Sequence, residues 1–302
     1  MQAQIQAIIN NTGRIILGKE PQIKLALAAL LARGHLLIED LPGMGKTTLS
    51  YTLAQVLGLQ FNRVQFTSDL LPGDILGVSV YDRNEADFKF HPGPVFTQVL
   101  LADEVNRATP KTQSALLEVM EEGQVTLEGE TRPLPKPFFV IATQNPSQHI
   151  GTFALPESQL DRFLMCIKLG YPDPRAERDL LRNNGGRHGI HAPEQAIDAA
   201  GLLAMQQAVD RVHLSDTLLD YLQALLQYSR NSSQFTAGLS PRAGLALRQC
   251  AQAWALTHGR DFAIPEDIQA VLPGVAGHRL QPISGSAVSD TAQHLLNAVA
   301  IP

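Results

Sequence analysis

Leu36-Leu37-Ile38-Glu39-Asp40-Leu41-Pro42-Gly43-Met44-Gly45-Lys46-Thr47-Thr48 is the stretch on which the fold turns. An apolar run of strand length enters a glycine-containing loop, and a helical pattern over residues 46–57 follows, stopped by Gly58. A loop in this context aims backbone N–H groups at phosphate oxygens, and the helix N-terminus adds partial positive charge. Gly43 and Gly45 permit close backbone approach, Lys46 reaches the β- and γ-phosphates, and the Thr47 hydroxyl is placed for Mg²⁺. Asp40 stands where the strict G-x-x-x-x-G-K-[ST] pattern has glycine, so that pattern fails by one residue. The competing reading is a chance glycine-rich turn, and the strand–loop–helix order weighs heavily against it.

A second strand pattern, Val99-Leu100-Leu101-Ala102-Asp103-Glu104, ends in two carboxylates. Asp103 suits the Mg²⁺ shell, and Glu104 suits a base that orients and deprotonates an attacking water. Alone, the pair would be as readily a solvated strand end. Further short apolar runs at 35–39, 61–66, 98–102, 138–143 and 163–169 read as strands, several nearly continuous as in buried parallel sheets. A helix is expected over 110–121, with Thr109 as N-cap, Pro110 in the first turn and Gly123 as its end. The alternation predicts an α/β domain with a mainly parallel sheet. Residues 77–96 and 124–137 alternate polar and apolar around Arg83-Asn84 and Glu128-Gly129, and each reads as an inserted β-hairpin.

Past Pro172-Asp173-Pro174 the strand signals stop. A leucine stripe over 215–230 follows a Ser N-cap, Ser240-Pro241 opens a helix to about residue 258, and Ile264-Pro265-Glu266-Asp267 opens another. Residues 183–186 and 231–233 read as loops. Trp254 shares an apolar helix face with Leu247 and Cys250 and reads as core.

With 302 residues, the chain has length for two domains that need no disulfide or metal to fold. A net charge of −5 argues against holding nucleic acid by bulk charge. Cys166 and Cys250 form no C-x-x-C pair, which suits a reducing compartment. The longest apolar run, 25–32, falls well short of a membrane span, and the N-terminal residues lack the pattern of a signal peptide. The expectation is a soluble cytoplasmic protein without membrane insertion. The histidines form no H-E-x-x-H pattern or Cys/His cluster, so nucleotide-bound Mg²⁺ is the expected metal.

Pro42-Gly43-Met44-Gly45-Lys46-Thr47, Asp103-Glu104-Val105-Asn106-Arg107-Ala108, Ala142-Thr143-Gln144-Asn145-Pro146 and Leu155-Pro156-Glu157-Ser158-Gln159-Leu160-Asp161-Arg162-Phe163 together resemble the MoxR family of AAA+ ATPases. The resemblance is dense over 18–172 and continues thinly through Gly238-Leu239-Ser240-Pro241-Arg242-Ala243. It implies a P-loop αβα domain, residues 1–173, with β-hairpin inserts, then a smaller all-α lid, residues 174–302. It makes Asp40 a familiar variant and assigns Asp40, Pro42, Gly43, Met44, Gly45, Lys46, Thr47 and Thr48 to ATP, with Thr47 and Asp103 to Mg²⁺. Glu104 and Asn145 become catalytic, Asn145 as a γ-phosphate sensor. Arg162 becomes an arginine finger for a neighbouring subunit, with Arg107 the alternative, and Arg242 a lid residue that touches nucleotide. Residues near Ile16 and Gly18 lie where such proteins pack adenine. The resemblance also implies a homo-oligomer, a hexamer, acting as a chaperone-like remodeller of client proteins beside a von Willebrand A-domain partner. Two rivals remain: a motor on nucleic acid, against which the balanced charge of the second hairpin speaks, and a nucleotide switch without turnover, which would not need the full residue set.

Overall fold

The computed structural model describes residues 1–146, 152–182, 193–283 and 288–301, without the side chains of 288–290. The loop expected at 183–186 lies outside them. Five of the apolar runs pair as one parallel sheet: β1 (Leu36–Glu39), β2 (Phe61–Gln65), β5 (Val99–Asp103), β8 (Phe139–Gln144) and β9 (Met165–Ile167), in the order β2-β5-β8-β1-β9. Leu36 registers with Ile141 on one side and Met165 on the other. The chain thus reverses its winding about β1, and the loop leaving β1 opens into the crevice at the carboxyl ends of the strands.

Alternate residues of each strand feed two separate cores. Leu36, Ile38, Leu101 and Ile141 pack with α1 (Gln2–Gly13), α2 (Glu20–Leu31) and α3 (Lys46–Val56). Leu37, Leu100, Val140 and Ala142 pack with α5 (Pro110–Glu122) and with Ile75 of α4 (Pro72–Leu76). This period-two partition is what a sheet covered on both faces requires. α2 is a helix the strand-and-stripe reading leaves unassigned, because Ala26 to Leu31 are all buried and no polar face marks its period.

Both hairpins form. β3 (Gly77–Asp82) pairs with β4 (Asp87–Pro92), so the first closes at Pro92, short of 96. β6 (Gln124–Leu127) pairs with β7 (Glu130–Pro133) across Glu128 and Gly129, whose φ values of 54° and 83° make a primed two-residue turn. Thr109 sits at the start of α5 but caps no backbone N–H; its hydroxyl meets that of Thr112 at 3.2 Å.

After β9 the regular structure among the described residues is helical apart from two isolated bridges: α7 (Pro174–Arg182), α8 (Ala199–Val209), α9 (Asp216–Asn231), α10 (Pro241–Thr257), α11 (Pro265–Ala276) and α12 (Val288–Ala298). Ser215 and Ser240 cap α9 and α10 through the N–H groups of Leu218 and Ala243. Leu247, Ile268 and Leu272 join the same apolar cluster as Leu27 and Ile38, so the helical part is seated on the sheet's own helical layer. Trp254 is half-buried against it. At Gly274 a side chain would meet Met165 at 2.8 Å, so α11 lies directly on β9. No helix among the described residues is long and apolar enough to cross a membrane.

His35, just before β1, ties the sheet to α5: Nε2 lies 2.9 Å from the Met120 carbonyl, and Nδ1 accepts the Val140 N–H at 2.9 Å. Burial pushes its pKa down to about 4. Between pH 6.5 and 4 the unfolded chain therefore takes up a proton that the native state refuses, and stability falls as pH falls, by up to ~1.4 kcal/mol per pH unit. Urea unfolding at pH 7.5 and pH 5 should show this loss, added to one of the same sign from His278, whose burial lowers its pKa to about 3. His35→Gln should be less stable at pH 7.5 and lose less on acidification; an unchanged pH dependence would remove His35 as a source.

Candidate active site

Gly43 and Gly45 both hold left-handed backbone, φ 84° and 87°, and a side chain at either would meet open space. The loop is a cradle kept clear of atoms, with the first turn of α3 behind it. Asp40 anchors its entrance: one carboxylate oxygen accepts the Leu41 N–H at 2.8 Å and the other the Gly170 N–H at 2.6 Å. The residue that breaks the strict motif thereby ties the loop to the exit of β9.

Lys46 is only 8% exposed. Its ammonium donates to the Asp40 carbonyl, to Asn145 Oδ1 at 2.7 Å and to the Gln144 carbonyl at 3.3 Å. Burial lowers its pKa, against the opposing pull of Asp40, Asp103, Glu104 and Glu39. Thr47 Oγ1 lies 3.4 Å from Asp103 Oδ2, which brings together two oxygen donors of the kind a hard divalent cation takes. Asp103 also accepts from Thr143 Oγ1 at 2.6 Å and from Arg63 at 2.7 and 3.1 Å.

Glu104 adopts the left-handed region, φ 57°, which is uncommon for a side-chain-bearing residue. Its N–H donates to Thr143 Oγ1, and its carboxylate accepts from Asn145 Nδ2 at 2.9 Å, Gln65 Nε2 at 3.0 Å and Arg107 at 2.8 Å. Lys46, Thr47, Asp103, Glu104 and Asn145 are thus in one network at the carboxyl end of the sheet. Arg107 joins that network and pairs with its own chain's Glu104 rather than standing apart.

Arg162 and Arg242 lie at the other end. Arg162 precedes β9, and β1 with its four residues, roughly 13 Å long, separates that end from the loop. Arg162 Nε contacts Glu121 Oε2 at 3.0 Å, and Arg242 reaches Glu121 Oε1 at 3.4 Å. They border a cavity of about 300 Å³ that Arg33, His35 and Arg279 also line. Neither Asp161 nor Glu157 pairs with Arg162, because Asp161 is taken by Arg279 at 2.6 Å. Arg242, expected beside nucleotide, is not brought to the phosphate loop of its own chain.

The sequence model of the ATPase family associated with various cellular activities matches residues 35–165, and that of the AAA lid domain matches 227–297. The YeaC protein of Bacillus subtilis is 43% identical, covering 97% of this chain and 93% of that one. Chaperone MoxR1 of Mycobacterium tuberculosis is 39% identical over 99% of this chain and 82% of its own. The crystal structure of a putative ATPase from Cytophaga hutchinsonii superposes with a TM-score of 0.91 at 35% identity, covering 100% of this chain and 96% of the other. The chain belongs to the MoxR family of AAA+ ATPases.

In this MoxR-family chain, Arg63, Gln65, Thr143, Glu121 and Arg279 are contacts that sequence reading missed. Arg63 and Gln65 had a signal: two residues apart on a strand, they share a face, and β2 pairs with the strand that carries Asp103. Glu121 and Arg279 had none. Gly45→Ala tests the cradle. The added methyl clashes with nothing but is strained at φ 87° and blocks close approach, so ATP affinity should fall about tenfold or more with the fold retained. Equilibrium binding beside a thermal melt checks this.

Proposed function

We propose that this MoxR-family protein is a Mg²⁺-dependent ATP hydrolase that works as a homo-oligomer, a hexamer in the family's manner. Each site would take its phosphate loop from one subunit and Arg162 and Arg242 from the next. One observation carries the reading: the two halves of the expected residue set stand at opposite ends of one sheet, so a single chain cannot close them on one nucleotide. In the site, Lys46 would exchange its Asn145 contact for phosphate oxygens. Glu104 would take the proton of the attacking water, with the Asn145 amide holding both in line. Thr47 and Asp103 would hold Mg²⁺, which when bound supplies neutralisation of phosphoryl charge. From the neighbour, Arg162 would stabilise charge that grows in the transition state. We divide the chain accordingly into a nucleotide-binding part, 1–173, and a helical lid, 174–302.

The work driven by turnover is chaperone-like remodelling of client proteins, a reading supported by the name of the Mycobacterium tuberculosis relative. A von Willebrand A-domain partner is part of the same proposal. Against a nucleic-acid motor, the second hairpin's Arg132 is engaged by Glu130 and lies over the Phe90 ring at 4.1 Å.

Lys46→Ala should lose ATP binding, whereas Glu104→Gln should bind ATP and turn it over slowly, because Lys46 meets ground-state phosphates and Glu104 acts on water. Wild-type turnover in Glu104→Gln would remove the assignment of the base. Arg162→Ala should keep ATP affinity and lose about 10³-fold or more in kcat. Mixed with Lys46→Ala in one assembly, it should regain part of the activity, since an intact loop then sits beside an intact finger. No recovery in demonstrated mixed assemblies would mean that Arg162 does not act across subunits.

A further inference from the structure

Residues 161–164 carry Arg162 between α6 (Glu157–Leu160) and β9. The N–H groups of Asp161, Arg162 and Phe163 close on the carbonyls of Glu157, Gln159 and Leu160 at 3.0, 3.2 and 3.1 Å, and the segment's own carbonyls lie outside any helix or sheet ladder. The Leu164 N–H does reach the His35 carbonyl at 2.9 Å. The carbonyls of Asp161, Phe163 and Leu164 all turn toward one side chain, Arg279, which follows α11 in the helical part. Arg279 gives Nε to Asp161 Oδ1 at 2.6 Å, and its terminal nitrogens to the carbonyls of Asp161 at 3.1 Å, Phe163 at 2.7 Å and Leu164 at 3.1 Å. One of those nitrogens also reaches the Val275 carbonyl, which ties the fork back to its own helix. His278 adds Nε2 at 3.2 Å from the Phe163 carbonyl. The Arg279 side chain is 5% exposed.

We propose that Arg279 is the positioning residue for Arg162: it fixes the backbone on both sides of the finger and mounts that finger on the helical lid. The proposal rests on the reading that Arg162 acts on a neighbour's ATP. Three features favour positioning over plain packing. Arg279 contacts residues 161, 163 and 164 but leaves the Arg162 side chain to the cavity. A planar fork fixes several acceptors in one geometry, which an ammonium could not do. And a buried arginine is a costly way merely to fill space, since desolvation opposes it unless each donor is satisfied. Because α11 also lies on β9 through Gly274, a shift of the helical part would carry Arg162 with it.

The test is asymmetric complementation with full-length Arg279→Met. A displaced finger should lower turnover about 100-fold, while ATP affinity of the intact phosphate loop stays within about twofold. Assembled with Lys46→Ala, which supplies a sound finger, Arg279→Met should regain activity. Assembled with Arg162→Ala, it should not, because no interface then holds a working finger. Recovery with both partners, recovery with neither, or wild-type turnover of Arg279→Met alone would each overturn the proposal. Arg279→Lys keeps the buried charge without the fork. It should show the same asymmetry, and it serves as the variant if the methionine protein does not fold. Failure of the underlying reading is separately visible, as absence of recovery when Lys46→Ala and Arg162→Ala are combined.

Discussion

A buried ammonium sets the terms at one end of this molecule. Lys46 keeps its charge away from water only because the Asp40 and Gln144 carbonyls and the Asn145 amide oxygen converge on it. Those groups belong to the ends of β1 and β8, so the two strands must be neighbours in register for the lysine to be satisfied. Glu39, Asp40, Asp103 and Glu104 surround it, an excess of negative charge that Arg63 and Arg107 offset from the rim. Lys46, Asp103 and Glu104 are each held by partners at neighbouring strand ends, and in the proposed site phosphate oxygens would replace a Lys46 contact that already exists.

The opposite end gathers arginines. Arg33, Arg162, Arg242 and Arg279 line the cavity below β1, answered by Asp210, Glu121 and Asp161. In the proposed assembly these arginines meet the phosphate loop of the next subunit, so the contact joins two different surfaces of the same chain. Such heterologous contacts close into rings when the rotation permits.

What could be read from sequence was local. The loop from Asp40 to Thr48 was legible because its chemistry is contiguous, and Asp103-Glu104 because a continuous apolar strand exposes its terminal acids. The serine caps of α9 and α10 lie within three residues of the N–H groups they bind. The two hairpins announced themselves through turns, though nothing local marked where either stops pairing: the second ends at Pro133, short of 137. α2 was opaque because burial on all sides erases a helix's period. Arg279 was opaque because the groups it holds lie 115 to 118 residues away. The expected place of Arg242 failed for a related reason: the first turn of α10 could be read from Ser240-Pro241, but which end of the sheet that turn faces depends on how α10 packs against α2 and the rest of the shared core.

The arginines around the cavity divide by how easily their contacts can be exchanged. Arg162 and Arg242 share one carboxylate, Glu121, and all three side chains are substantially open to solvent. Ion pairs of that kind contribute about 0–1 kcal/mol, so a phosphate of higher charge could displace Glu121 at little cost. Arg279 and Asp161 are different. Arg279 is buried and its donors are spread over several acceptors, so breaking the cluster would strand a desolvated charge and several carbonyls at once. A finger is useful when its own side chain can change partners while its backbone cannot move. For Arg162, the proposed finger, the exchangeable contact is on the side chain, and the fixed contacts are on the residues either side of it.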